Sequence, residues 1–581
     1  MASPLPGLPA AELMNEPALR TIAENSTLFK IVTPVDVNRF EALLVNHPNR
    51  PFVDSILHGL RHGFWPCAGA DLDKYPSTRE FPERDHSPAD LEFLKKQCEE
   101  EEQLDRFSAL FGPPNGLLLP GMYCVPVHAV PKLNSDKLRM VVDHSAGDFS
   151  LNSMIDKADI HVNLDNIQDL GHNLLLHCKQ LRKNSRWLWK SDVSMAYRRL
   201  PMHPLWQLKQ VITVDGVRRI DRCNNFRGRT SGMLWCTFMS LILWIAIHEK
   251  GIDALLAYID DCFSDDPSKH LIYYARYDDF LPPKQVALLL LWDEIKLPHD
   301  KPKQLFGSVC TIIGLDVDLL HMKISLSPEH RTALITGVCS FMLDAPQRCR
   351  HLVEWQRILG WMNWGLNVAP LLCPALQPGY DKIAGCSISR APIYLNKTVT
   401  RDFLWFADAF QSFNGIHFIT SHVWDSSQAD LVIYCDASLT GGLAFWSPSH
   451  NRGFVSERPP SPSDADTIFW YEALTVVSAL EWVCSLQHKP RCLAIFSDSL
   501  NTIQMFNSLR ARPSYNDLLL FTCHNLLLHQ IDLHIFHIAG DLNIIANALS
   551  HNLFDVVSQY KPDLDVCLFT PPRVALGADK C

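Results

Sequence analysis

The stretch Leu255-Leu256-Ala257-Tyr258-Ile259-Asp260-Asp261-Cys262-Phe263 constrains the fold of this chain more than any other. An apolar run delivers two adjacent carboxylates and then turns apolar again. Side chains alternate between faces along a strand, so Asp260 and Asp261 cannot both enter one core. Burying even one unpaired acid costs several kcal/mol. A hairpin carrying the pair at its tip, with a divalent cation against it, resolves the conflict. An Asp-Asp pair alone is more often a solvated turn, so the weight rests on its company.

Upstream, Trp187-Leu188-Trp189-Lys190-Ser191-Asp192 is a second apolar strand that ends in an acid, followed by Val193-Ser194-Met195-Ala196-Tyr197. If the two strand ends lie side by side, Asp192 and Asp260 can share two Mg²⁺ ions, an arrangement suited to in-line phosphoryl chemistry. Between them lie Arg218, Arg219, Arg222, Arg227 and Arg229, then Ser231-Gly232 and a charge-free run from Met233 to Ile247.

These pieces resemble reverse transcriptases. Tyr258-Ile259-Asp260-Asp261 is similar to the family's Tyr-x-Asp-Asp box, and Asp192 with Tyr197 to its first palm motif. Val130-Pro131-Lys132, Lys137 to Asp143 and Leu151-Asn152 are similar to the fingers segment that grips the incoming nucleotide. Lys303-Gln304-Leu305 and Ile312-Ile313-Gly314-Leu315-Asp316 are similar to the late palm motif and primer grip. The resemblance implies Asp192, Asp260 and Asp261 as catalytic metal ligands. It implies Tyr197 as the steric gate that favours dNTPs, with Lys132, Arg139, Arg229 and Lys303 as further substrate contacts; Arg offers a bidentate fork and Lys a point charge. A solvated face is the plainer reading of Lys132 and Arg139. One departure stands in the template loop, where Phe226-Arg227-Gly228 puts an Arg at the expected first Gly.

The C-terminal third repeats the pattern. Leu431 to Cys435 runs into Asp436, Glu472 sits in a helical stretch from Ile468 to Leu486, and Cys492 to Ser497 delivers Asp498, with Ser499 or Asn501 as a helix cap. A last strand spans Asp532 to His537. The order and spacing resemble ribonuclease H, which implies Asp436, Glu472 and Asp498 as catalytic metal ligands for one or two Mg²⁺ (or Mn²⁺). It also implies His537 as the histidine that assists product release, although a satisfied structural histidine fits equally. The family's fourth acid is missing: Ala546-Asn547-Ala548-Leu549-Ser550 carries Asn547 in its place, so RNA cleavage is expected to be reduced or absent.

The fold class expected is α/β (α+β) and multidomain, a right-hand polymerase of fingers, palm and thumb followed by an RNase H-like mixed sheet with helices. The expected boundaries are 1–115, a partly disordered N-terminal extension; 116–328, fingers and palm; 329–428, thumb and connection; 429–553, RNase H-like; and 554–581, a tail. Ser327-Pro328 reads as a helix start, Trp355 to Trp364 as a thumb helix whose tryptophans pack in a core, and Asp90 to Arg106 as a charged helix with a solvated face. A net charge of −10 argues against a generic nucleic-acid coat, so phosphate contacts must come from a local basic track: Lys179, Arg182, Lys183, Arg186 and Lys190, then the five arginines. The 18 cysteines form no Cys-x-x-Cys pair, and no secretory signal pattern is seen, which suits an intracellular setting. Met233 to Ile247 falls short of a membrane span, so no membrane partner is expected.

No Asp-Ser/Thr-Gly protease motif, integrase zinc pattern or knuckle is seen. The Asn49 to Asp54 and Gly63-Phe64-Trp65-Pro66 segments and the fused RNase H resemble fungal DIRS-type retrotransposons, which implies a tyrosine recombinase partner from the same element. His47-Pro48-Asn49-Arg50 spells that enzyme's His-x-x-Arg box only by chance. The expected function is RNA-directed DNA synthesis, with RNA template, DNA primer, RNA–DNA hybrid and dNTPs as partners. The alternative is a decayed or domesticated copy that binds hybrids without chemistry.

Overall fold

The computed structural model describes residues 2–69, 74–131, 137–180, 186–267, 270–412, 416–418, 424–460 and 467–572, without the side chains of 178–180, 416–418 and 467. The chain is a mixed α/β protein of two compact units, Met1–Ile313 and Gly314–Cys581.

In the first unit the N-terminal residues do not form a separate body. Leu28, Phe40, Leu44, Phe52, Ile56, Leu60 and Trp65 share one core cluster with Trp189, Trp206, Trp235 and Trp292. The expected disorder of the Pro-rich start does not hold among the described residues. Leu5 and Leu8 pack against that core, the Leu5 amide donates to Ser55 Oγ at 3.0 Å, and Glu12 forms a buried pair with Lys209 at 2.7 Å. Asn49 caps the helix Arg50–His62 by accepting from the Phe52 amide. Helix α1 (Pro88–Gln103) is the charged helix. Its expected solvated face ends at its last turn, where Glu101 is buried between two arginines.

A four-stranded sheet holds strands β1 (Arg186–Asp192), β2 (Leu256–Tyr258), β3 (Asp261–Pro267) and β4 (Leu305–Gly307) in the order β4-β1-β3-β2, all antiparallel. Helix α2 (Ser231–Trp244) continues as a π-turn to Glu249. That continuation corrects the length read from sequence: 231–249 is one helix of 19 residues, long and apolar enough to cross a membrane. Its side chains Leu234, Trp235, Phe238, Leu241, Ile242 and Ile245 are instead fully buried in the first unit's core.

In the second unit, the antiparallel strands Leu315–Asp318 and Lys323–Ser325 precede helices α3 (Pro328–Leu343) and α4 (Leu352–Gly365). Ser327 caps α3 by accepting from the His330 amide, with Pro328 in its first turn. The α4 tryptophans are core-facing: Trp355 is fully buried edge-on to Phe341, and Trp361 closes over Gly337 of α3. The larger sheet comprises β5 (Leu431–Ala437), β6 (Leu443–Ser447), β7 (Arg452–Ser456), β8 (Cys492–Ser497), β9 (Asp532–His537) and β10 (Asp565–Leu568), in the order β9-β8-β5-β6-β7-β10. Helices α5 (Thr467–Ser485), α6 (Leu500–Ser508) and α7 (Ile544–Ser550) accompany it. Strands β5, β8 and β9 are parallel neighbours, and β5 and β8 read as unbroken apolar runs because such strands are covered on both faces.

Candidate active sites

Strand β1 meets β3 with Asp192 directly opposite Asp261. Strand β2 pairs Tyr258 with the same Asp261, which leaves Ile259 and Asp260 as a two-residue loop and puts all three acids at one end of the sheet. Like charges facing each other across strands repel. Lys190 shares the Asp192 face, two residues earlier, and reaches diagonally to Asp261 at 2.8 Å. Lys303 reaches Asp192 Oδ1 at 2.5 Å. Burial raises the Asp192 carboxyl, against the pull of Lys303. Burial, then the charges of Asp192 and Asp261, push Asp260 up to about 6.

The loop is strained and held. Ile259 sits at φ 58°, a left-handed conformation that a β-branched residue adopts at a cost of roughly 1–3 kcal/mol. Trp235 Nε1 donates to the Ile259 carbonyl at 2.7 Å, and the Val193 amide to the Asp260 carbonyl at 3.2 Å. Asp165 accepts from the Ala257 amide at 2.7 Å, a support that no local sequence pattern announces. Tyr197 lies on a 3₁₀ turn, Ala196–Arg199, its ring 5.2 Å from that of Phe226. Its hydroxyl lies so near α2 that a Cβ on Gly232 would come within 3.3 Å. Burial, then Cys236 and Asp260, push the phenol up to about 12.

The other expected contacts are less gathered. Arg139 is exposed on the hairpin Val127–Pro131/Leu138–Val142, opposite Val130, and Lys132 lies outside the described residues. Arg229 is tied to the protein: its amide donates to Asn152 Oδ1 at 2.7 Å and its guanidinium to the Ile155 carbonyl. Asn152 also donates to the Arg227 carbonyl at 2.8 Å, so the Leu151-Asn152 motif clamps the loop after Phe226. The Arg227 side chain is exposed. The position with no room for a side chain is Gly228, where a Cβ would stand 2.4 Å from Ser231 Oγ.

The expected basic track needs correction. Arg218 pairs with Glu80, Arg219 with Glu102 and Arg186 with buried Asp265. Arg222 is buried and donates to the carbonyls of Thr27, Leu28, Asp105 and Phe107. Lys190 serves Asp261, Arg182 and Lys183 lie outside the described residues, and so does the Lys179 side chain. Partners far away in sequence consume these charges, and no local pattern reveals them.

In the second unit, Asp436 is the next-to-last residue of β5, Asp498 follows β8 and Glu472 projects from α5. One oxygen of each lies within 4.8 Å of the others. Among the described residues this is the acid group that meets that spacing; Asp192, Asp260 and Asp261, with lysines on two of them, do not. Glu472 is 95% buried (5% exposed). Its Oε1 accepts from the Ala437 amide at 3.1 Å, while buried Oε2 has no partner. Burial, then Asp436 and Asp498, push Glu472 up to about 9. Burial and Asp498 push Asp436 up to about 6, although Ser550 Oγ donates to it. An orphaned buried carboxylate oxygen between two further acids is the environment a hard cation completes, so this donor set fits a metal ion.

These acids line a cavity of about 390 Å³ with Phe469, Ser499, Asn501, Asn547 and His551. Ser499, not Asn501, caps α6. Asn547 does stand at the cavity where a fourth acid was expected. His537, at the end of β9, is exposed and does not line it. The histidine there is His551, whose Nδ1 lies 3.2 Å from Ser438 Oγ; it directly follows Ser550, and no part of the sequence pattern singles it out. Gly441 is obligatory, since a Cβ there would fall 2.0 Å from the Ser550 carbonyl.

No family model and no curated protein matches the chain. Solved structures similar to it include a foamy viral protease-reverse transcriptase with dsDNA, at TM-score 0.44 and 14% identity over 88% of this chain and 99% of that one. The dRH form of that protein with dsDNA aligns at TM-score 0.42 and 15% identity, covering 88% of this chain and 83% of that one. A complex with RNA/DNA hybrid aligns at 0.42 and 14%, covering 88% and 64%. At this degree of likeness the functional reading rests on the residues themselves.

Proposed function

We propose that the chain is an RNA-directed DNA polymerase of a retrotransposon, one resembling the DIRS type, with its polymerase acids in the first unit and, at 429–553 of the second, a ribonuclease H-like domain impaired at Asn547. The observation that carries the polymerase reading is the register of β1 and β3, which sets Asp192 opposite Asp261 beside a strained loop bearing Asp260. Two bound Mg²⁺ (or Mn²⁺) ions would activate the primer 3′-OH and neutralise the pyrophosphate leaving group. Asp192 and Asp260 would hold them, with Asp261 alongside. The 3′-oxygen forms its bond to the α-phosphorus of a dNTP as the bond to pyrophosphate breaks. Lys303, which pairs with Asp192, would be free to meet phosphate oxygens once a cation was held there. Tyr197, fixed between Phe226 and Gly232, would exclude a ribose 2′-OH. RNA template, DNA primer and dNTPs are the partners this implies, in a reducing intracellular setting that suits the buried free thiols of Cys98, Cys223, Cys262, Cys435 and Cys523.

Primer extension on poly(rA)/oligo(dT) with Mg²⁺ and dTTP tests the reading against a variant carrying Asp260→Asn and Asp261→Asn. Extension by the parent and its loss in the variant is the expected result. Hybrid binding without extension by the parent would favour the second reading, a non-catalytic hybrid binder, to which Asn547 at the cavity already points for the second unit.

A further inference from the structure

Four charged side chains outside the acid site form one buried group in the first unit. Glu101, near the end of α1, pairs with Arg106 at 2.6 Å and with Arg198 at 2.8 Å. Arg198 in turn meets Asp221 at 2.8 and 2.9 Å. All four are at least 94% buried, with exposures of 3%, 4%, 6% and 0%. Such a network is poor evidence of stability, because desolvating its charges offsets most of their attraction. What it does is fix geometry.

Its members flank Tyr197 on two sides. Arg198 is the next residue on the same 3₁₀ turn, and Arg106 Nη1 donates to the sulfur of Met195, the left-handed residue (φ 53°) that starts the turn. Asp221 accepts from Asn225 Nδ2 at 3.3 Å, and Arg198 donates to the Asn224 carbonyl at 3.4 Å. Those contacts hold the base of the loop that carries Phe226, against which the Tyr197 ring rests. One carboxylate from α1 thus registers both halves of the Tyr197–Phe226 pair.

We infer that Glu101 is a positioning residue for the Tyr197 turn and the 224–229 loop, so that the N-terminal segment sets sugar discrimination at the polymerase site; this rests on the polymerase reading above. Glu101 touches neither nucleotide nor cation in this scheme. It acts through Arg198. Glu102, its neighbour, pairs instead with Arg219 at 2.8 Å near the surface, which makes Glu102→Gln the matched control.

The test compares the parent, Glu101→Gln and Glu102→Gln by two readouts. Amide exchange over residues 194–200 and 221–229 should quicken together in Glu101→Gln and remain unchanged in Glu102→Gln. The preference for dTTP over UTP in kcat/KM should fall at least fivefold in Glu101→Gln, mostly through a lower KM for UTP, while a merely destabilised protein would lose both substrates equally. A folded Glu101→Gln with parental exchange, or with parental discrimination, overturns the inference. Should Glu101→Gln fail to fold, Glu101→Asp, which keeps the charge but shortens the reach to Arg198, is held to the same two outcomes. A parent that extends no primer would sink the polymerase reading, and the exchange result would then decide the positioning role alone.

Discussion

Glu472 shows how far one side chain can depart from its surface behaviour. A free glutamate ionises near pH 4.3, but here burial and the facing Asp436 and Asp498 hold the proton to about 9. The folded pKa is the higher one, so the stability contributed is fully present below about pH 4.3 and lost as pH rises through about 9. Gln at 472 cannot ionise and escapes that loss. Melting curves of the metal-free protein should therefore show parent and Glu472→Gln diverging from about pH 5 to about pH 9, by up to a few kcal/mol; parallel curves would rule the account out. Asn547 makes the complementary case. Asn547→Asp adds a fourth carboxylate to the same cavity, which should raise cleavage of the RNA strand in a hybrid at least tenfold. It should also lower the metal-free melting temperature, since the new acid has no cation against it. Mn²⁺ binding followed by electron paramagnetic resonance would show whether a second ion accompanies the gain.

Among the elements, the strands were legible and their supports were not. The bounds read from sequence for Cys492–Ser497, an apolar run that stops at Asp498, and for Asp532–His537, which stops before Ala539-Gly540-Asp541, match β8 and β9. The Asp260–Asp261 hairpin was equally readable, since apolar runs on both sides of the pair put the two acids at a tip. Nothing local marks Asp165 under β2 or Glu101 beside Arg198, because those partners lie 92 and 97 residues apart in the chain. His551 was missed for a different reason: it follows the helix whose missing acid drew attention, and only the fold turns it toward Ser438. The α2 helix offers a test at this scale. Gly232→Ala should leave the helix as stable or more so, because Ala gains up to about 1 kcal/mol over Gly in a helix. The new Cβ, 3.3 Å from the Tyr197 hydroxyl, should nonetheless change KM for dNTPs severalfold. Unaltered kinetics in a fully folded variant would mean that Tyr197 does not contact substrate as proposed.

At the scale of the whole molecule, the question is how a chain of net charge −10 engages a polyanion. Sequence alone made the arginines from 218 to 229 a phosphate track, yet Arg218 and Arg219 are paired with Glu80 and Glu102, and Arg222 is buried against backbone carbonyls. Their charge stabilises the first unit instead of meeting a ligand. Two substitutions separate the roles. Arg222→Gln removes a buried group that makes five hydrogen bonds and should lower the melting temperature. The dependence of hybrid affinity on salt should stay the same, because no phosphate contact is lost. Arg227 is exposed on the loop beside Tyr197, so Arg227→Gln should melt like the parent yet flatten the plot of log affinity against log salt by about one unit. If Arg222→Gln flattened that plot and Arg227→Gln did not, the paired and buried arginines would have to open toward nucleic acid on binding, and the division of charge drawn here would be wrong.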